Sequence, residues 1–334
     1  MPLLRRLDPG YKRQTMRKTK TIAPLSRTES ARRTRDWLWL RGELMPYFFL
    51  APTLVALLLF SIYPFIMGIL FAFKDITWFG GTSHWVGVEN FQRILEGSSG
   101  SAQFFQQALK QTVIWTVGVV GGQLVLGYGT ALLLNQRVPG RWIFRTLILL
   151  PWAMPSVVVA LTWQWLYDPF FGLINHYLNQ LGLIRGPKVW VGQPNSSIGP
   201  IMLVGIWRGL PFMALMLLSG LQAIPEELYD AAKVDGANLV QRFRFITLPL
   251  MRTITVVVVM LTTMWWWNSF DLQKIMSPVG NIGNRTMTLP VLAWYEAFQW
   301  HHLGRGAAIS VISLLVMLVV MVWNVRREMQ TVPE

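Results

Sequence analysis

The chain has 334 residues, 53% of them hydrophobic and only 14% charged, well below the roughly 25% of a soluble domain. Its net charge of +14 would suit nucleic acid, but the basic residues are segregated by loop, which argues against a nucleic-acid partner. The absence of cysteine rules out disulfide and thiol chemistry.

Residues 1–44 form a polar arm with 12 Lys and Arg, read as a cytoplasmic tail near anionic headgroups, with Ser26–Arg41 as a candidate surface helix. Six apolar runs follow: Met45–Phe73, Thr112–Leu134, Thr146–Tyr167, Ser197–Leu221, Thr253–Phe270 and Gly306–Val325. Each reaches or approaches the ~20 residues that a helix needs to span the hydrocarbon core. All are expected to be helical, because backbone in lipid must satisfy its own hydrogen bonds. The first run exceeds a signal-peptide core of ~7–15 residues and predicts an uncleaved first helix.

The arm, Asn135–Arg145, Gln222–Arg252 and the tail after Val325 together hold 21 basic residues, whereas Lys74–Gln111, Asp168–Pro200 and Asp271–Arg305 hold 8. The positive-inside rule therefore predicts six transmembrane helices with both termini in the cytoplasm. On the outer side, Trp78, Trp85, Trp190 and Trp300 fit an interfacial aromatic belt. The domain division expected is the arm 1–44, a membrane domain 45–327 with a cytoplasmic loop at 225–250, and a short tail 328–334.

Three spans are irregular. The third opens with Pro151 and Pro155; the fourth contains Pro200, Gly205, Arg208, Gly209 and Pro211; the fifth ends Trp265-Trp266-Trp267-Asn268-Ser269-Phe270-Asp271. An arginine within a span is expensive and by default faces a cavity or a partner. Gly205-x-x-x-Gly209 is also a helix-packing pattern.

Catalytic signatures are missing. The chain has no GxxxxGK[ST] phosphate loop, no metal-ligand spacing and no evident Ser/His/Asp set, and His84, His176, His301 and His302 all fall in outward loops. The chain is therefore read as a non-enzyme that binds no cofactor.

The most informative segment is Leu228–Pro249, LYDAAKVDGANLVQRFRFITLP, a patterned polar loop between two spans. Pro225-Glu226-Glu227 starts a helix, with acids complementing the positive helix end. Ala231 and Ala232 allow another surface close approach, Gly236 stops or bends the helix, and a second amphipathic segment, Leu239–Ile246, precedes Pro249. By itself this unit suits either an interfacial amphipathic loop or a plug for a motor subunit.

Asp230-Ala231-Ala232, three residues, Gly236, nine residues, then Ile246-x-Leu248-Pro249 resembles the coupling loop of ATP-binding-cassette (ABC) importer permeases, with Asp230 where that family usually has Glu. Trp85–Phe91 (WVGVENF), Arg145–Asn175, Trp207–Pro225, Ala297-Phe298 and Leu303-Gly304 are similar to the carbohydrate, maltose-type branch, so that the resemblance covers Met45–Arg327. One departure is Ser277-Pro278-Val279-Gly280-Asn281, where the family often has a Gly-Gly-Pro turn.

The resemblance implies an all-α type I importer permease in a bacterial or archaeal inner membrane. It implies a second homologous permease, two ATPase subunits that carry ATP and Mg, an extracytoplasmic solute-binding protein and a sugar-like substrate. The coupling residues implied are Glu226, Glu227, Tyr229, Asp230, Ala231, Ala232, Asp235, Gly236, Ile246, Leu248 and Pro249. Positions that line the sugar path in maltose-type permeases correspond here to Trp152, Ser156, Gly205, Arg208, Gly209, Phe212, Trp265, Trp266, Asn268 and Ser269.

The alternatives are a stand-alone secondary transporter and a membrane receptor or scaffold. The transporter would call for inverted repeats and mid-membrane acids. Neither is evident, and Asp271 lies just past the fifth run.

Overall fold

The computed structural model describes residues 45–76, 83–96, 100–136, 139–191, 198–277 and 286–330. The basic arm with Ser26–Arg41, Trp78, the turn from Pro278 to Asn281 and the last four residues lie outside the described residues. The chain forms two units, 1–64 and 65–334. The described part of the first is a helix from Met45 that contains Pro52 and a π-turn at Leu58–Ile62 and buries none of its side chains. This helix, α1, runs through to Phe71 as a 27-residue apolar segment (Met45–Phe71). A helix apolar all round belongs in lipid or against a partner.

In the second unit two three-residue strands, β1 (Lys74–Ile76) and β2 (Ser83–Trp85), pair antiparallel with Asp75 opposite His84. They are a small exception to the expected all-helical fold. Trp85 stacks on Phe73 at 5.8 Å. In α2 (Glu89–Leu95), buried Asn90 donates to the carbonyls of Ala72 (3.0 Å) and Lys74 (2.9 Å), pinning the hairpin. α3 (Gly100–Asn135) is the longest helix described.

The third apolar run is not one helix. α4 (Arg141–Leu147) and α5 (Leu150–Ala153) are followed, after a break, by α6 (Ser156–Leu166), and the two halves meet at 93°. The cause is local. Pro155 pushes Met154 out of the helical region to φ −71°, ψ 136°, as a proline does to the residue before it.

α7 (Leu173–Gln180) lies in the next connection. α8 (Ile198–Leu221) is continuous despite Pro211; in a membrane, neighbouring helices can re-satisfy the freed backbone. α9 (Glu226–Val234), α10 (Leu239–Arg242), a π-turn (Phe243–Thr247) and α11 (Leu248–Leu250) form the polar loop. α12 (Arg252–Trp267), α13 (Asp271–Met276), α14 (Leu289–Trp294) and α15 (Leu303–Met329) complete the chain. α12 has 16 residues, about 24 Å at 1.5 Å per residue.

Among the described residues four helices are long and apolar enough to cross a membrane, or six if the two bent pairs (Arg141–Ala153 with Ser156–Leu166, and Leu239–Leu250 with Arg252–Trp267) each count as one span. The central contact is α3 against α8, and glycines make it close. A Cβ at Gly205 would lie 3.0 Å from Trp115 Cη2, one at Gly122 2.4 Å from Ile206 Cδ1, and one at Gly209 2.1 Å from Gln123 Nε2. Side chains of each helix thus fill the glycine notches of the other, the small-residue packing that drives association where lipid removes the hydrophobic effect. At the N-terminus of α15, a Cβ on Gly304 would fall 2.0 Å from the Lys74 carbonyl oxygen.

Two apolar cores result. One gathers Trp115, Val119, Ile201, Met213, Leu217 and Trp266; the other gathers Phe105, Leu289, Leu292, Ile309 and Trp267. The tryptophan run at the end of α12 is shared out by helical geometry, about 100° per residue. Trp266 and Trp267 enter different cores, while Trp265 remains half exposed.

Candidate solute cavity and coupling surface

A cavity of about 350 Å³ opens where α3, α5, α8, α12 and α13 converge. It is lined by Trp152, Arg208, Gly209, Phe212, Trp265, Trp266, Asn268 and Ser269, eight of the ten positions expected from sequence. Trp152 stacks on Phe212 (6.2 Å, 24°) and Phe212 meets Trp265 at 4.7 Å, so that three elements build one aromatic ledge. Trp152 and Trp265 are 48% and 51% exposed, which places apolar rings at an open rim.

The polar groups of the cavity divide into spent and available. Gln123 is spent: its Nε2 donates to Gly205 O (3.0 Å) and its Oε1 accepts from Trp266 Nε1 (3.1 Å). Trp115 Nε1 donates to Trp266 O at 3.1 Å, so Trp266 is held from both sides and is mainly a structural wall. Arg208 is available. Its Nε is buried with no hydrogen-bond partner, and a buried donor left unmade costs roughly 1–3 kcal/mol. Asp271 attracts Arg208 through space and accepts a hydrogen bond from the Ser156 hydroxyl.

The two expected residues outside the lining have other work. Ser156 ties the start of α6 to Asp271, and Gly205 receives Trp115. The sequence reading missed Gln123, Thr262, Phe270, Asp271 and Leu272, all of which line the cavity. For Asp271 there was a signal: an acid immediately after an apolar run, four residues past three tryptophans. For Gln123, one of several amides in a 36-residue helix, there was none.

The polar loop is a self-bonded unit. Pro225 sits just before the helix at φ −58°, ψ 133°, rather than in its first turn, and Glu226 and Glu227 occupy that turn. α9 ends at Gly236, whose φ is +80°. Ala237 N donates to Ala232 O (2.8 Å) and Gly236 N to Lys233 O (3.1 Å), the paired bonds of a Schellman end. α10 begins with a reciprocal cap: Gln241 N donates to Asn238 Oδ1 (2.9 Å) and Asn238 N to Gln241 Oε1 (2.8 Å). Tyr229 Oη and buried Thr247 Oγ1 share a 2.9 Å bond between the arms.

This assigns different places to the expected coupling residues. Tyr229, Ala232 and Ile246 are half-buried, whereas Glu226, Glu227, Asp230, Ala231, Asp235, Gly236, Leu248 and Pro249 are exposed. Asp230 pairs with Lys233 at 2.7 Å across one exposed turn, a contact of little stabilising value. Also exposed are Val234 (89%), Leu239 (77%) and Val240 (71%), which sequence reasoning did not single out. Their signal was apolar character at the turn of an otherwise polar loop. Bare aliphatic side chains flanking a rigid turn mark a contact surface.

Known proteins agree with this architecture. Residues 123–329 match the family described as the binding-protein-dependent transport system inner membrane component. The chain is 35% identical over 283 residues to the trehalose/maltose transport system permease protein MalF of Thermococcus litoralis, covering 83% of this chain and 91% of that protein. It is 32% identical over 302 residues to the sulfoquinovosyl glycerol transport system permease protein SmoG of Agrobacterium fabrum, covering 90% and 95%. A crystal structure of a bacterial ABC transporter involved in the import of the acidic polysaccharide alginate superposes with TM-score 0.77 at 20% identity, covering 90% of this chain and 100% of that one. The last likeness shows the fold. The chain belongs to the family of inner-membrane components of binding-protein-dependent transport systems. It is a transport component and not an enzyme.

Proposed function

We propose that this chain is the permease subunit of an ATP-driven ABC importer that carries a carbohydrate or carbohydrate-like solute. The observation that carries the substrate class is the ledge of Trp152, Phe212 and Trp265 beside Arg208 and Asp271. Aromatic faces stack on the apolar faces of sugar rings, while the guanidinium and carboxylate meet hydroxyls. The relatives named for trehalose/maltose and for sulfoquinovosyl glycerol support a sugar-type solute. Family membership favours this reading over a stand-alone secondary transporter.

The working assembly is this chain with a second homologous permease, two ATPase subunits that hold ATP and Mg²⁺, and an extracytoplasmic solute-binding protein. Six spans place both termini and the 225–250 loop in the cytoplasm. The half-exposed rim at Trp152 and Trp265 is where the second permease closes the cavity. The exposed face of α9 and the apolar turn at Val234, Leu239 and Val240 seat in the ATPase. Closure of the ATPase dimer pulls that unit, and the permease pair switches between inward- and outward-open states, a bistable element biased from each end.

The test is purification from the native membrane followed by reconstitution with the binding protein. Copurified ATPase and second permease, with ATP hydrolysis stimulated by a sugar, is the expected result. A chain that purifies alone with its fold intact overturns the assembly. An assembled complex that no sugar stimulates overturns the substrate class.

A further inference from the structure

The cytoplasmic half of the second unit carries a cleft that begins beside the coupling unit and extends along α3, α4 and α8. Its apolar part, about 600 Å³, is bounded by Leu133, Phe144, Leu147, Trp207, Leu210 and Pro211 from α3, α4 and α8. Its polar part, about 990 Å³, lies between the end of α3 and the coupling unit. The two adjoin at Gln136 and Arg141, which line both.

The charges of the polar part do not balance. Among the described residues its charged side chains are Arg141, Glu226, Asp230, Lys233 and Arg242. Three of these are basic and two acidic, and Lys233 pairs with Asp230 at 2.7 Å. Arg242 Nε is buried without a hydrogen-bond partner, and Arg141 presents an exposed side chain to the same cleft. An unsatisfied guanidinium is a fork for a phosphate or carboxylate. The apolar part reaches Trp207, Leu210 and Pro211, in the middle of an apolar 24-residue helix, and so lies at membrane depth.

From this we infer a binding site for one anionic phospholipid of the cytoplasmic leaflet. An acyl chain lies along Phe144, Leu147 and Leu210, and the headgroup phosphate rests on Arg141 and Arg242. Because the headgroup touches the wall of the coupling unit at Tyr229 and Phe243, the lipid is a structural wedge between α3 and the arm that the ATPase moves. The inference rests on the inward orientation of the coupling loop proposed above.

The test uses the assembled transporter in phosphatidylcholine nanodiscs doped with phosphatidylglycerol, read by native mass spectrometry as lipid retained. Retention is independent of sugar, so a transporter of another solute still gives an answer. Joint Arg141→Gln and Arg242→Gln is expected to weaken phosphatidylglycerol retention about 30-fold, two basic residues at ~1 kcal/mol each. Leu210→Trp, which fills the apolar part without changing charge, should also lower it. Lys188→Gln, on the opposite side, should not. Unchanged retention in both cleft variants overturns the site. Displacement by soluble glycerophosphate overturns the lipid in favour of a free anion. A cross-link from Leu210 to the second permease overturns it in favour of a protein occupant.

Discussion

The coupling unit and the cavity are built by opposite strategies. The bonds that shape the coupling unit are local, the widest spanning 18 residues: the Schellman end at Gly236, the reciprocal cap of Asn238 and Gln241, the Tyr229–Thr247 bond. The cavity instead joins Gln123, Trp152, Arg208 and Asp271 from four distant segments. A locally bonded unit can be moved as a piece without disturbing its own shape. A site assembled from distant helices changes whenever any of them moves, which is what a gated solute site requires.

The largest effect should come from breaking the unit's transmission and sparing the cavity. Gly236→Pro cannot adopt the φ of +80°, and Ala231→Arg adds bulk on an exposed face. Both should reduce sugar uptake in vesicles to background with normal membrane insertion, and normal uptake in either would refute the docking role of α9. Arg208→Ala attacks the cavity alone. It should weaken the apparent sugar affinity about 10- to 100-fold, the loss of a charged hydrogen bond at roughly 1.5–3 kcal/mol, while ATPase copurification stays intact. Arg208→Lys should recover only part of the loss, because the fork is replaced by a point charge.

Gly205→Leu tests the frame beneath the cavity. The Trp115 ring already stands 3.0 Å from where a Cβ would be, and overpacking of this kind typically costs about 1–3 kcal/mol. A lowered unfolding temperature in detergent is the expected readout. Asn238→Ala should have the smallest effect, about 1 kcal/mol of local stability, seen as faster hydrogen exchange over α10 with transport retained. If it abolished transport, the unit would be less self-sufficient than its bonding indicates.

Legibility in the sequence followed the same division. The coupling unit could be read because its determinants are local: acids after Pro225, paired alanines, a glycine at the turn. The break in the third span was foreshadowed by Pro155, though not its size of 93°. In the cavity, the arginine and the tryptophans announced themselves by their cost or bulk in a span. Gln123 did not, because an amide in a long helix has no address until α8 and Trp266 arrive beside it. The roles within the tryptophan run were also invisible. Three identical letters became a cavity wall, a bonded strut and a second core's anchor only through their angles on α12.

That run has a mechanical consequence. Trp266 is bonded to Gln123 and Trp267 to Ser313 on the far helix α15, so the end of α12 is keyed on two sides. Rolling the helix about its own axis would shear both bonds and unseat two indoles at once. Tilting it as part of a block would break neither. The two keyed indoles therefore couple α12 to α3 on one side and to α15 on the other.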